Sequence, residues 1–189
     1  MLYVDIPVRL LGTMPDHAAK CMQYFKEHQD DLKYGQLSLW TAEKYKHLSV
    51  REQLQSGCGS FHYLNQGHVD EEFVVPVPGT EFLNPIIDHL QNNTQIFFGQ
   101  RHMLCRPMLR QLSPKTCLSY HRDKAPVRIH LVLQTNDKVM FIIEDKVERM
   151  SYAGNLYCLK TDVMHTVVNA SYDQARIHLT ISAYPKDRP

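Results

Sequence analysis

Neither sign of charge dominates this chain: 21 Lys and Arg stand against 20 Asp and Glu, a formal net charge of +1. That excludes the global field that would gather nucleic acid or an anionic membrane, and neither is expected as a partner. Long apolar runs are missing as well. None approaches the ~20 residues needed to cross a bilayer. The opening MLYVDIPVRLL carries an early acid, Asp5, and lacks the basic start and extended apolar centre of a secretory signal. The five Cys are odd in number and show no C-x-x-C spacing, which argues against a disulfide framework and against a zinc knuckle. Reduced thiols in a cytoplasmic protein are expected. In that compartment the N-x-S/T matches at Asn92 and Asn169 mean little. Internal repeats, low-complexity tracts and linkers are absent, apart from one echoed tetrapeptide.

What is present is enough apolar material for one core. Hydrophobic residues make up 43% of 189 residues, which fits a single domain. The character of the chain changes near position 95. Residues 1–94 read as a helical and mixed region for support and substrate recognition, and 95–184 as a catalytic β-barrel. In the first part YVDIPVRLL is β-like. MPDHAAKCMQYFKEHQDDLK reads as a helix with Pro15 in its first turn, and GTEFLNPIIDHLQNN as a second, started by Thr80 and closed by Asn92 and Asn93. The stretch from Gly35 to Val77, which holds the single Trp, is the least legible. In the second part TQIFFG, MLRQL, TCLSYH, VRIHLVLQ, KVMFIIE, ERMSY, NLYCLK, HTVVN and ARIHLTIS are short β-type runs separated by turn signals. Many short strands at regular spacing predict a mainly β fold with flanking helices, an antiparallel barrel of the jelly-roll or cupin type.

The echoed tetrapeptide is RIHL, at Arg128–Leu131 and again at Arg176–Leu179. Residues two apart in a strand share a face. Ile129, Leu131 and Leu133 therefore oppose Arg128, His130 and Val132, and Ile177, Leu179 and Ile181 oppose Arg176, His178 and Thr180. With helices over the apolar faces, the Arg and His faces line the interior, where a charge needs a partner. YHRDKAP adds His121 and Asp123 two residues apart, a short clamp of imidazole nitrogen and carboxylate oxygen. His165 follows on another strand. Two His and one carboxylate on one side of a metal leave its other positions open, the facial arrangement of non-haem Fe(II) oxygenases. A 2-oxoacid with a distal carboxylate could chelate such an iron and pair with an interior Arg. Zn(II) or Mn(II) in a cupin isomerase or hydrolase suits the same three ligands but leaves Arg128 and Arg176 without a use. A turn His and Asp with an unrelated core His is the plain structural alternative. Asn169 reads as structural. His178 is either an interior His or a neighbour of the site. His17, His28, His47, His62, His68 and His89 read as surface or loop residues.

From Leu109 to Ile181 the order His-x-Asp, Arg-x-His, a distal His and then Arg resembles the 2-oxoglutarate/Fe(II)-dependent dioxygenases. It most resembles the branch of aspartyl/asparaginyl β-hydroxylases and related free-proline hydroxylases. The resemblance implies a double-stranded β-helix and a site in which His121, Asp123 and His165 bind Fe(II). It implies that Arg176 holds the distal carboxylate of 2-oxoglutarate, with Arg128 and His130 near its iron-proximal end, and that O₂ is the oxidant. β-Hydroxylases proper often carry glycine where this chain has Asp123, so in that respect it looks more like the proline-hydroxylase subgroup. The expected function is hydroxylation of a C–H bond in a free amino acid such as proline. A peptidyl Asp, Asn or Pro hydroxylase, and a non-catalytic cupin that binds a small ligand, are the alternatives.

Overall fold

The computed structural model describes residues 7–58 and 70–186, and two antiparallel sheets facing each other form its frame. The larger orders six strands: β1 (Val8–Thr13), β10 (Asn155–Lys160), β7 (Val127–Gln134), β12 (Arg176–Pro185), β5 (His102–Leu112) and β2 (Gln36–Ser38). The smaller orders four: β6 (Thr116–Cys117), β11 (His165–Asn169), β8 (Val139–Ile143) and β9 (Lys146–Glu148). A side ribbon pairs β3 (Trp40–Ala42) with β4 (Phe73–Pro76). This is the jelly-roll architecture expected for many short strands. Both edges of the large sheet, β1 and β2, come from the N-terminal half.

Alternation along the strands builds two separate apolar layers. Ile129, Leu131 and Leu133 of β7 and Ile177, Leu179 and Ile181 of β12 pack outward against helices α1 (Pro15–Glu27) and α3 (Asn84–Phe98). The helices meet them with Ala18, Cys21 and Phe25, and with Ile86, Leu90 and Phe98. A second layer fills part of the space between the sheets, where Leu112 and Val132 meet Val139, Phe141, Ile143 and Val167. A short helix, α2 (Val50–Gln55), is closed at its start by a reciprocal Ser49–Glu52 capping box.

The structure corrects several local expectations. TQIFFG is not a strand. Thr94 and Phe98 continue the Ile86–Leu90 stripe at every fourth residue, so α3 runs through them to Phe98. Asn92 and Asn93 do not close it; Gly99 does, in the left-handed conformation at φ 72°, with its N–H donating to Gln95 O at 2.9 Å. Pro85 fits because it falls in the first turn. The Thr80 hydroxyl does not cap a helix but donates to the carbonyls of Val77 and Leu39. Of TCLSYH only Thr116–Cys117 is strand, and His121 forms an isolated bridge with His165. ERMSY contributes only Glu148, at the end of β9. The start of YVDIPVRLL, together with His62 and His68, lies outside the described residues.

Helix α3 supplies a sharp test of this layering. Leu90 is fully buried whereas Ile96, one and a half turns on, is 75% exposed. Leu90→Ala is expected to cost about 2–5 kcal/mol, the usual price of a core cavity. Ile96→Ala is expected to stay within about 0.5 kcal/mol. Urea unfolding midpoints of the two variants check both.

Candidate active site

All six singled-out residues, His121, Asp123, His165, Arg128, His130 and Arg176, line one recess between the two sheets. Strand register brings them together. His165 is the first residue of β11, and the backbone N–H groups of His121 and His165 donate to each other's carbonyls at 3.0 and 2.8 Å. Asp123 N–H donates to Thr161 O at 2.8 Å. The loop bearing His121 and Asp123 is thereby clamped at two points beside β11. Opposite lie the inward faces of β7 and β12, where Thr180 is in register with His130 and Ser182 with Arg128.

The donor set can hold a metal. His121 Nε2 lies 3.6 Å from one oxygen of Asp123, and His165 Nε2 lies 3.8 Å from the other. One donor atom from each residue falls within 4.8 Å of the others. The other ring nitrogens are occupied. His121 Nδ1 donates to Ser119 O at 2.6 Å and His165 Nδ1 to Val163 O at 2.9 Å. A carbonyl can only accept, so Nδ1 carries a proton and Nε2, the nitrogen turned toward Asp123, is the one placed to ligate. Burial lowers the pKa of His165, against the opposing pull of its Val163 bond and of Asp123, which keeps the ring neutral and able to ligate.

Behind the donors runs a chain of buried charges. Arg128 Nη2 is 2.9 Å from Asp123 Oδ2 and 3.8 Å from Asp70 Oδ2. Asp70 in turn accepts from Arg106 Nη1 at 2.6 Å and from Ser182 Oγ at 2.8 Å. Arg106 reaches it from a β-bulge: three steps on β5 oppose two on β12, and Arg106 adopts φ 49°. Its other donor, Nη2, bonds Gly57 O at 2.6 Å. The alternating pattern of the strands did not single out Asp70, Arg106, Ser182 or Arg110. Arg110, a charge inside the β-type run MLRQL, and Arg106, two residues before that run, carried a weak signal. Asp70, beside two other acids outside any regular element, carried none.

Deeper in the recess stands Arg176. It is 4% exposed, its Nε has no partner, and among the described residues no carboxylate lies within ion-pair distance. Its guanidinium rests 5.3 Å from the Phe141 ring centroid. Burial draws its pKa down to about 9, the mark of a cation whose surroundings lack an anion. His130 and His178 face each other through their Nδ1 atoms at 3.2 Å, and both Nε2 atoms are sealed from water without a partner. Burial holds both rings neutral, with the guanidiniums of Arg176 and Arg128 adding to the effect at His130. One Nδ1 must accept the other's proton, so the accepting ring carries its proton on Nε2 as an unused donor. Asn169 is structural: its amide donates to the carbonyls of Leu112, Ser113 and Gln174.

Asp70 generates a prediction. Burial works to raise its pKa, but Arg106 and then Arg128 outweigh it and hold the carboxyl at about 2. The folded carboxyl therefore binds its proton less tightly than the unfolded one. Its stabilisation is complete above the usual value of 3.8 and is lost as pH falls toward 2. Asp70→Asn strands Arg106 in the interior and is expected to cost about 3–5 kcal/mol at pH 7. Urea unfolding should show the gap between variant and parent narrowing as pH drops from 4 to 2.

No curated protein matches the chain. Solved structures do, at the level of the fold. AviO1 from Streptomyces viridochromogenes Tue57 is 12% identical and superimposes with a TM-score of 0.59 over 97% of this chain and 91% of its own. HygX from Streptomyces hygroscopicus, solved with nickel and 2-oxoglutarate bound, is 8% identical, with a TM-score of 0.54 over 95% of this chain and 81% of its own. An oxidoreductase of the 2OG-Fe(II) oxygenase family from Burkholderia pseudomallei is 16% identical, with a TM-score of 0.50; 58% of this chain matches 59% of that one. In the described residues no helix is long and apolar enough to cross a membrane. Residues 83–185, more than half of the chain, match the family model for aspartyl/asparaginyl β-hydroxylase. The chain belongs to that family, within the 2-oxoglutarate- and Fe(II)-dependent hydroxylases.

Proposed function

We propose that this chain hydroxylates a C–H bond of a free amino acid such as proline, with Fe(II) held by His121, Asp123 and His165. The observation that carries the reading is the pairing of two features in one recess. The Nε2 atoms of two His converge on a carboxylate, and a buried Arg176, without an ion-pair partner among the described residues, stands apart from them. A dicarboxylate 2-oxoacid suits both ends. Arg176 takes the distal carboxylate of 2-oxoglutarate as a bidentate pair in a site sealed from water. Arg128 keeps Asp123 oriented through their 2.9 Å ion pair and stands near the iron-proximal end of the co-substrate with His130. The unused Nε2–H of the His130–His178 pair offers a neutral donor to a ligand oxygen.

When bound, the iron supplies the centre at which 2-oxoglutarate and O₂ become succinate and CO₂, with one oxygen atom passed to the substrate carbon. The protein's share is to position reactants and exclude water. Arg106 and Arg128 are matched by Asp70 and Asp123 rather than by solvent, so much of the field around the site is built in before reactants arrive.

A free substrate is favoured because the recess lies between the sheets and is walled by side chains from both. Residues 1–94 would then serve as support and substrate-recognition region and 95–184 as the catalytic barrel. The test incubates purified protein with Fe(II), ascorbate and 2-oxoglutarate. Free amino acids, and separately peptides carrying Asp, Asn or Pro, are screened for succinate release and the mass gain of one oxygen atom. Release with free amino acids is expected. Stimulation by peptides alone would move the substrate to a protein side chain. Stimulation by neither, in iron-loaded protein, would make the chain a binding module.

Arg176→Ala is expected to weaken 2-oxoglutarate by roughly 30- to several-thousand-fold, from the loss of about 2–5 kcal/mol when a buried charge pair is broken. Arg176→Lys should recover only part. Titration of the folded variants checks this, and metal binding without co-substrate should survive both changes. Parent-like affinity in Arg176→Ala would reduce Arg176 to a structural residue.

A further inference from the structure

One interior cation is left without a use by this reading. Arg110 lies on β5 in register with His178 and lines the same recess as His121, Asp123, Arg128 and His130. Its Nε is shut off from water with no partner. Its one polar contact among the described residues is weak, from Nη2 to the thioether sulfur of Met108 at 3.3 Å. Among the described residues no carboxylate lies within ion-pair distance of it.

The direction of that contact matters. Across β12, Leu112 is in register with Arg176, Arg110 with His178, and Met108 with Thr180. By turning toward Met108, the Arg110 head moves away from the Arg176 end and toward the His130, Arg128 and Asp123 end. The charges that bear on it agree: after burial itself, Arg128 and Arg106 oppose its charge while Asp123 and Asp70 favour it, and Arg176 is not among them. Among the described residues, three guanidiniums at this end, Arg106, Arg110 and Arg128, share two carboxylates, Asp70 and Asp123. Arg106 and Arg128 already hold those at 2.6 and 2.9 Å. A divalent metal deepens the shortage of negative charge. Interior charge without a partner is costly, so the position is completed by an anion that arrives with a ligand. Thioether sulfur is a poor acceptor and is readily exchanged for a carboxylate fork.

We propose that Arg110 is a specificity-determining residue, which receives a carboxylate of the substrate and so places the substrate beside the metal donors. This rests on the hydroxylase reading and narrows it: the substrate bears a free carboxylate, either the α-carboxylate of a free amino acid or a side-chain carboxylate.

The test uses the full chain loaded anaerobically with Mn(II) and 2-oxoglutarate, so that binding is read without turnover. L-Proline, L-aspartate and L-glutamate are titrated by calorimetry, with their α-amides and, for the last two, their side-chain amides. In parent protein at least one free acid should bind, and amidation of the carboxylate that Arg110 holds should remove most of the affinity; which amide loses it identifies that carboxylate. Arg110→Gln should weaken the acid roughly 30-fold or more. It should erase the difference between acid and amide, and leave Mn(II) and 2-oxoglutarate affinities within about twofold. Melting of ligand-free Arg110→Met gives an independent readout. Removing an unsatisfied interior cation should hold or raise the melting temperature, whereas a structural arginine would lower it.

Equal binding of the acid by Arg110→Gln and parent overturns the proposal. So does a loss of 2-oxoglutarate affinity matching that of Arg176→Ala, or failure of every acid to bind the parent. Arg110-dependent binding without succinate release from any substrate would sink the hydroxylase reading and keep this one. Succinate release with substrate binding indifferent to Arg110 would do the reverse.

Discussion

The site depends on one run of buried charges: Arg106 to Asp70, Asp70 to Arg128, Arg128 to Asp123. The alternation of strand side chains makes it necessary. Once Ile129, Leu131, Ile177 and Leu179 turn toward the helices, Arg128, His130, Arg176 and His178 have nowhere to go but the space between the sheets. Charges there cannot be left to water, so carboxylates have to be brought in. Asp70 arrives from a short turn before β4, and a bulge in β5 swings Arg106 to meet it. Asp123 closes the run at the candidate metal site.

That arrangement divides the interior into two electrostatic zones. Around Asp70 and Asp123 most cations are matched within the protein, and the matched pairs hold the side chains still. Arg128 shows the economy of this: one guanidinium steadies the carboxylate of the donor set and contributes to the field on the neighbouring Asp. Toward Arg176 no acid lies within ion-pair distance among the described residues; the face of Phe141 and a neutral imidazole pair stand there instead. A cation kept in such surroundings destabilises the empty protein and strengthens its hold on an anion. Stability is thus given up where a ligand can return it.

Rigid elements carry the parts that need accuracy. His165, Arg128, His130 and Arg176 stand on strands in the two sheets. His121 and Asp123 sit in a loop, but reciprocal bonds to His165 and the bond to Thr161 tie that loop to its neighbours. Both donor imidazoles are turned by backbone carbonyls two residues before them, so the peptide chain itself selects the tautomer. The helices lie on the far side of the large sheet, away from the recess.

Much of this was written in the order of residues. Period-two alternation and turn spacing determined a β-sandwich with polar strand faces; Arg128, His130 and Arg176 stood out because they broke apolar runs, and His121, Asp123 and His165 because a His-x-Asp clamp and a distal His suit a metal and resemble a known family's pattern. Where two periodicities competed over a few residues, as in TQIFFG, the local pattern misled: the fourfold stripe from Ile86 through Phe98 became decisive only once the sheet beneath it was in place. Tertiary structure alone decided how the charges are shared. Asp70 lies more than thirty residues from either arginine it serves, and no local pattern marks it. Arg110 and Arg128 look alike in sequence, yet one meets a carboxylate and the other does not. Pairing across a sandwich depends on register, bulges and the path of distant loops, and those are settled by packing the whole chain.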